Sequence, residues 1–237
     1  MYRGIYLCLG YPDLKASLEA LAILKDHPNI DFIELGLPFS DPVADGPVIS
    51  AAAQDALLKA KEHGISPLMM LEQAVSALRG SAKDVFLMTY GNMIYHLRRH
   101  YQGFEQLALR GLIIPDLPLP ERDFFKGLGF PVVPFATTES TAEDFNALGE
   151  TQAPFIYFVA IRGITGTQTD LSSPKLRRQY AKVCELADCP VVLGFGIQGP
   201  EQIHALADFA NGFVIGTAAV KRQGDPSEYR RFLDSLS

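Results

Sequence analysis

The sequence predicts a single α/β domain built as a (β/α)8 barrel. Three observations carry that expectation: short apolar runs alternate with amphipathic stretches from end to end, those runs are apolar on consecutive positions, and no linker or shift of composition divides the chain. The 237 residues are 48% hydrophobic and 20% charged, an ordinary globular composition, and they are enough for one large unit with a full core. Consecutive apolar positions, as in LIIP at 112–115, VVPF at 132–135 and FIYFV at 155–159, mark parallel strands covered on both faces. A doubly wound open sheet shares the alternation and is the competing architecture.

Taken in order, the first strand is expected at 4–9, where GIYLCL runs into the turn Gly10-Tyr11-Pro12-Asp13, and the first helix at 14–25. The second strand, 31–36, leads through a loop rich in Pro, Asp and Gly to helices at 48–63 and 68–78. Strands follow at 85–90, 111–115, 131–135, 154–159, 190–194 and 212–216, which makes eight. The amphipathic stretches between and after them lie at 101–109, 142–148, 174–187, 200–209 and 227–236. Eight such units in this length describe the barrel, whose reactive groups belong at the strand ends and in the loops that follow them.

Lys and Arg number 21 against 27 Asp and Glu, a net charge of −6. No general electrostatic attraction therefore draws the chain to nucleic acid or anionic lipid. Every apolar run is broken well short of the roughly 18–20 residues of a membrane span. The opening MYRGIYLCLGYPD reads as a strand entering a turn, because a short apolar run with one basic residue lacks the small-residue cleavage site of a targeting segment. Cys8, Cys184 and Cys189 form no CxxC pair, so neither a disulfide framework nor a zinc site is suggested and a reducing, cytoplasmic setting is expected.

The loop after the second strand, FIELGLPFSDPVADGPVIS at 32–50, carries Glu34 at the strand end and Asp41 and Asp45 beyond it. Three carboxylates are expected to converge there. Glu34 lies in an otherwise apolar strand, where desolvation raises a carboxyl pKa toward neutrality and suits it to acid–base work. Asp45, in an Asp-Gly-Pro segment, reads equally as a helix-entry cap and as the second member of an acid–base couple. Asp41, before Pro42, reads as a turn residue or a contact with a partner. Three oxygen ligands could also hold Mg²⁺, so that reading stays open.

His96 and His100 have HxxxH spacing, but Arg98 and Arg99 intervene and the pair reads as a solvated helix face. Schiff-base chemistry is disfavoured, since Lys221, just past the last strand, is the nearest lysine to an inward strand end. Gly-rich strand ends at 163–167, 194–199 and 216–217 suggest a phosphate held by backbone N–H groups. GFGIQG matches GxGxxG, yet the acidic residue a dinucleotide site needs about 20 positions on is absent.

FIELGLPFSDPVADGPVIS resembles the signature of the tryptophan synthase alpha chain, ELGxPFSDPxADGPxI. The resemblance continues through MTYGN (88–92), IPDLP (114–118), RGITG (162–166), GFGI (194–197) and GTAAVK (216–221). It implies a TIM barrel that splits indole-3-glycerol phosphate into indole and glyceraldehyde 3-phosphate, without metal or cofactor of its own. It also implies a beta-chain partner, carrying pyridoxal phosphate, in an α2β2 assembly. By resemblance Glu34 is the acid/base, Asp45 stabilises the ring N–H, and Thr165 orients Asp45. Tyr6, Tyr90, Tyr157 and Phe195 would contact substrate, Gly166, Gly196, Gly216 and Thr217 the phosphate, and Asp41 and Asn92 the beta chain.

The chain departs from the family pattern in three places. The family begins with a helix before its first strand, whereas this sequence starts almost at the strand, so the barrel floor should be covered by something shorter. Tyr11 stands where the family has Asp. In the loop after strand six, Ile161 stands at the family's arginine position, with Arg162 one residue along. An alternative follows from that last departure: an alpha-like regulatory subunit that cleaves little but activates the beta chain for use of free indole.

Overall fold

The chain is described by a computed structural model that covers residues 1–100, 103–104, 107–117, 129–141, 143–144, 153–159, 171, 173–194 and 196–236. Nine strand segments are arranged in one all-parallel sheet. They are β1 (Tyr2–Cys8), β2 (Phe32–Gly36), β3 (Asp84–Met88), β4 (Gly111–Ile113), β5 (Val132–Val133), β6 (Phe135–Thr137), β7 (Ile156–Val159), β8 (Val191–Gly194) and β9 (Gly212–Ile215). The helices among the described residues are α1 (Leu14–Asp26), α2 (Pro47–Glu62), α3 (Pro67–Ala77), α4 (Gly91–His100), α5 (Pro174–Leu186), α6 (Pro200–Leu206), α7 (Thr217–Val220) and α8 (Pro226–Asp234).

The ladder runs β5-β4-β3-β2-β1-β9-β8-β7-β6. Its two end segments are separated in sequence by Pro134 alone, so they are halves of one strand and the sheet closes through that residue. Proline has no N–H to give to a ladder. Val132 and Val133 therefore pair with β4 and Phe135 onward with β7, while the Pro134 carbonyl still accepts the Tyr157 N–H at 2.9 Å. Eight strands close the (β/α)8 barrel, and the expected fifth strand is cut in two where the proline falls.

Burial on both faces explains the consecutive apolar positions. Ile5, Leu7, Ile33, Leu35, Leu87 and Phe158 point outward into a cluster shared with the helices. Their alternates Tyr6, Cys8, Phe32, Phe86, Met88 and Tyr157 point inward and form a separate cluster inside the barrel. Strand periodicity is thus present but hidden, because both sets are apolar.

At the floor, Tyr2 stacks on Phe32 with centroids 4.4 Å apart, and Phe86 and Phe155 meet edge to face at 5.0 Å. The Tyr2 hydroxyl donates to Asp84 at 2.7 Å. These rings fit because Gly4 lacks a side chain: a Cβ there would overlap the Phe32 ring.

Helix starts follow local chemistry. Asp13 accepts the Ala16 N–H at the head of α1, Ser66 accepts the Met69 N–H at the head of α3, and Asp225 accepts two N–H groups at the head of α8. Pro occupies the first turn of α2, α3, α5, α6 and α8, where its missing N–H costs nothing.

One helix differs from expectation. α4 covers Gly91–His100 and buries Ile94 and Leu97. Within the stretch expected to be helical at 101–109, Gly103 takes a left-handed φ of +90° and Phe104 lies in a 3-10 turn whose carbonyl accepts the Leu107 N–H at 3.2 Å, while 101–102 and 105–106 lie outside the described residues. The helix expected at 142–148 lies mostly outside the described residues. Among the described residues no helix is long and apolar enough to cross a membrane.

Gly4→Ala should destabilise the fold by about 1–3 kcal/mol, the usual cost of overpacking a core. Urea unfolding of Gly4→Ala, Phe32→Leu and the double variant checks this. Loss of stability in the double variant should be smaller than the sum of the singles, because the smaller side chain clears the overlap.

Candidate active site

Strand register assembles the site. Tyr6 lies opposite Glu34, and Glu34 opposite Phe86, so an acid stands in the middle of an inward-facing row. One layer toward the mouth, Cys8, Gly36, Met88 and Ile113 are aligned. The Tyr6 hydroxyl leans into the space that a side chain on Gly36 would fill, and the Tyr157 ring does the same at Gly194. Two large rings thereby fit into a narrow barrel and leave a cavity between them.

About 480 Å³ of that space, open solvent at the mouth included, is free of protein atoms. Tyr6, Tyr157, Ile49, Met88 and Val214 form its walls, Glu34 and Asp45 are its acids, and Gly196, Gln198, Gly216 and Thr217 lie at its rim. Glu34 is fully buried, and neither carboxyl oxygen has a hydrogen-bond partner among the described residues. With nothing to stabilise the anion, burial pushes its pKa up to about 8. At neutral pH the group is therefore mainly a carboxylic acid that can give up its proton and take it back.

Asp45 sits in a different environment, half-buried on the loop between β2 and α2. Tyr90 donates its hydroxyl proton to Asp45 Oδ2 at 3.0 Å and accepts the Ala44 N–H at 3.2 Å. Its ring stacks on Phe39 of the same loop at 5.1 Å. Burial raises the Asp45 pKa and the Tyr90 bond opposes that rise. Burial first, and the neighbouring acids second, hold the Tyr157 hydroxyl protonated. Tyr6 is likewise kept neutral, by burial above all, with Cys8 and the acids adding to it.

At the rim, β9 ends at Ile215 and Gly216 turns the chain into α7, accepting the Ala219 N–H at 2.9 Å and the Val220 N–H at 3.0 Å. The N–H groups of Thr217 and Ala218 precede the first bond of this turn. Gly196 adopts a left-handed φ of +83°, a conformation that favours glycine. Gln202 fixes the turn by donating to the Gly196 carbonyl at 2.9 Å and accepting the Gln198 N–H at 2.6 Å.

Seven of the residues singled out from sequence therefore border one cavity: Glu34, Asp45, Tyr6, Tyr157, Gly196, Gly216 and Thr217. Tyr90 is not on the wall but behind Asp45. Thr165, Gly166 and Phe195 lie outside the described residues. The convergence expected of three carboxylates is limited to two, because Asp41 is exposed, bonded to the Ser40 hydroxyl and absent from the cavity wall. Among the described residues no group of three His, Cys, Asp or Glu side chains could hold a metal ion. Asn92, also exposed, is the second residue of α4, whose Gly91 N–H is capped by Asp116 at 2.9 Å. Sequence reasoning missed Ile49, Met88, Val214, Ile197 and Gln198. Met88 pairs with Gly36, two residues beyond Glu34, so its inward place shows only once the register of β2 and β3 is known.

A family model described as tryptophan synthase alpha chain matches residues 5–233. The tryptophan synthase alpha chain of Aquifex aeolicus is 36% identical over 228 residues, 92% of this chain and 84% of the relative. That of Arabidopsis thaliana is 34% identical over 240 residues, 98% and 84% respectively. Among solved structures, tryptophan synthase subunit alpha from Legionella pneumophila superposes with a TM-score of 0.82 at 28% identity, covering 99% of this chain and 90% of that one. A structure of the tryptophan synthase a2b2 complex from Pyrococcus furiosus superposes with a TM-score of 0.84 at 25% identity, covering 99% and 97%.

The raised pKa of Glu34 has a signature in stability. Between about pH 5 and 8 an unfolded chain has released this proton while the folded chain keeps it, so the native state binds more protons and its stability falls as pH rises through that window. Glu34→Gln removes the titration. Its stability relative to the parent should therefore grow from pH 5 to pH 8.5, read as urea midpoints, and a constant difference would show that Glu34 titrates normally.

Proposed function

The chain belongs to the tryptophan synthase alpha chain family, and on that premise we propose that its cavity cleaves indole-3-glycerol phosphate into indole and glyceraldehyde 3-phosphate. The reading includes a complex with a beta chain that consumes the indole. One observation carries it: a buried, unpartnered carboxyl of raised pKa shares an apolar cavity with a second carboxylate, below a rim of glycine backbone.

In this reading the indole ring lies between the walls made by Tyr6, Tyr157, Met88 and Val214. Glu34 in its acid form protonates the ring carbon that bears the glycerol chain. Positive charge then develops on the ring nitrogen, and Asp45, held by Tyr90, accepts the N–H and offsets that charge. Glu34, now a carboxylate, takes the proton from the hydroxyl on the glycerol carbon next to the ring. That O–H pair becomes the aldehyde, the carbon–carbon bond breaks, and its electrons return to the ring as indole. Glu34 ends protonated, as it began. The Gly196 turn and the Gly216-Thr217 start of α7 hold the phosphate through backbone N–H groups. Acid–base groups suffice for this chemistry, and pyridoxal phosphate belongs to the beta partner's reaction.

Ile161 at the family's arginine position favours a second reading, a slow lyase that still docks through the loop around Asp41 and Asn92 and raises the partner's use of free indole. One assay separates the two: indole release with and without a beta chain, beside beta-chain turnover of added indole.

Glu34→Gln should lower indole release by about 10²–10⁴-fold, the usual range for removing a general acid–base group. Activity within twofold of the parent would sink the assignment. Tyr90→Phe removes a hydrogen bond to a charged group, worth about 1.5–3 kcal/mol, so turnover should drop about tenfold or more while the cavity wall stays intact. Steady-state kinetics at saturating substrate measures that drop.

A further inference from the structure

Gln223 is one of the few polar side chains fully enclosed by the fold. β1 and β9 pair only as far as Ile5 and Ile215. Beyond that point β9 turns away through Gly216 into α7, while β1 continues to Cys8. The peptide groups of β1 that face β9 are thus left inside the protein without a strand beside them, a costly position for a donor and an acceptor.

Gln223, three residues past α7, takes the missing strand's place. Its Oε1 accepts the Cys8 N–H at 3.0 Å and its Nε2 donates to the Cys8 carbonyl at 2.7 Å. This exchange of one N–H and one C=O is what a neighbouring strand would offer. The second Nε2 hydrogen goes to the Tyr11 carbonyl in the first loop. Only a carboxamide combines donor and acceptor in this way among side chains that stay neutral. The segment so anchored is the one that opens with Gly216 and Thr217, and Gly216 abuts Tyr6 and Ile49 of the cavity wall.

We propose that Gln223 is a positioning residue for the phosphate end of the cavity, locking the Gly216-Thr217 turn at a fixed spacing from the top of β1. The inference rests on the phosphate reading given above but not on the cleavage step. A phosphate that does not react is held alike before and during bond breaking, so loosening its cradle should weaken binding and leave the chemical step alone.

The test uses the full chain and glycerol 3-phosphate as probe, with calorimetric affinities and thermal melts for the parent, Gln223→Leu and Gln223→Glu. In Gln223→Leu the dissociation constant should rise at least fivefold, with KM rising in parallel and kcat within twofold when substrate and beta chain are supplied. In Gln223→Glu the ratio to the parent should depend on pH. A protonated carboxyl at pH 5 keeps one donor and one acceptor and should bind nearly as the parent does, whereas a carboxylate at pH 8 faces two carbonyls and should bind far more weakly. Unchanged affinity in a Gln223→Leu chain that still melts cooperatively overturns the proposal, as does a fall in kcat matching the rise in the dissociation constant. A parent that fails to bind the probe overturns it too. If Gln223→Leu does not fold, a pH-independent affinity ratio in Gln223→Glu is decisive against it. A parent that binds the probe yet releases no indole defeats the cleavage reading and leaves this one standing.

Discussion

A closed parallel barrel imposes one demand on which the rest of this structure depends: both edges of every strand must find partners, because the interior offers no water to satisfy them. The chain meets the demand with regular ladders wherever two strands run side by side, and with substitutes where they do not. Pro134 splits the fifth strand so that its halves serve different neighbours. Gln223 stands in for β9 where β9 turns aside. Closure also fixes the register, and the register in turn puts Tyr6, Glu34 and Phe86 in one row.

Given that row, the electrostatics of the site follow from placement. Glu34 sits on a strand, where no donor among the described residues reaches it, and burial makes it an acid that holds its proton near neutrality. Asp45 sits on a loop, where Tyr90 can donate to it and solvent is nearer. Two carboxyl groups of similar intrinsic strength are thereby given separate characters by the elements that carry them. Tyr90 follows β3 by two residues and its ring packs on Phe39, so the loop that bears Asp45 is tied to the neighbouring βα unit.

Much of this was legible in the sequence, and the remainder was not for identifiable reasons. The strands were visible as apolar runs, and Glu34 stood out because a carboxyl in such a run needs an explanation. Pro134 was visible too, but its effect on pairing depends on which strands lie on either side. The helix at Gly91–His100 had no counterpart in the sequence reading, because Ile94 and Leu97 show as core residues only once β3 lies beneath them, and the stretch read as helical at 101–109 includes a left-handed Gly103. Tyr90 read as a wall residue, since nothing in the order of residues tells whether a hydroxyl faces a cavity or the back of an aspartate. Met88 and Val214 were hidden by the double burial of parallel strands, where inward and outward positions are equally apolar. Gln223 carried no signal, because the gap it fills arises only when β9 ends before β1 does.

Among the described residues, the aromatic stack at the floor closes one end of the barrel interior and leaves the cavity's mouth as its doorway. Tyr2, Phe32, Phe86 and Phe155 occupy the end opposite the cavity, ring against ring, with Gly4 against the Phe32 ring. Whatever enters the cavity must leave by the way it came, and solvent competes for the same passage. Arrival, departure and hydration are then a single queue, and any body that seats itself over the mouth governs all three at once.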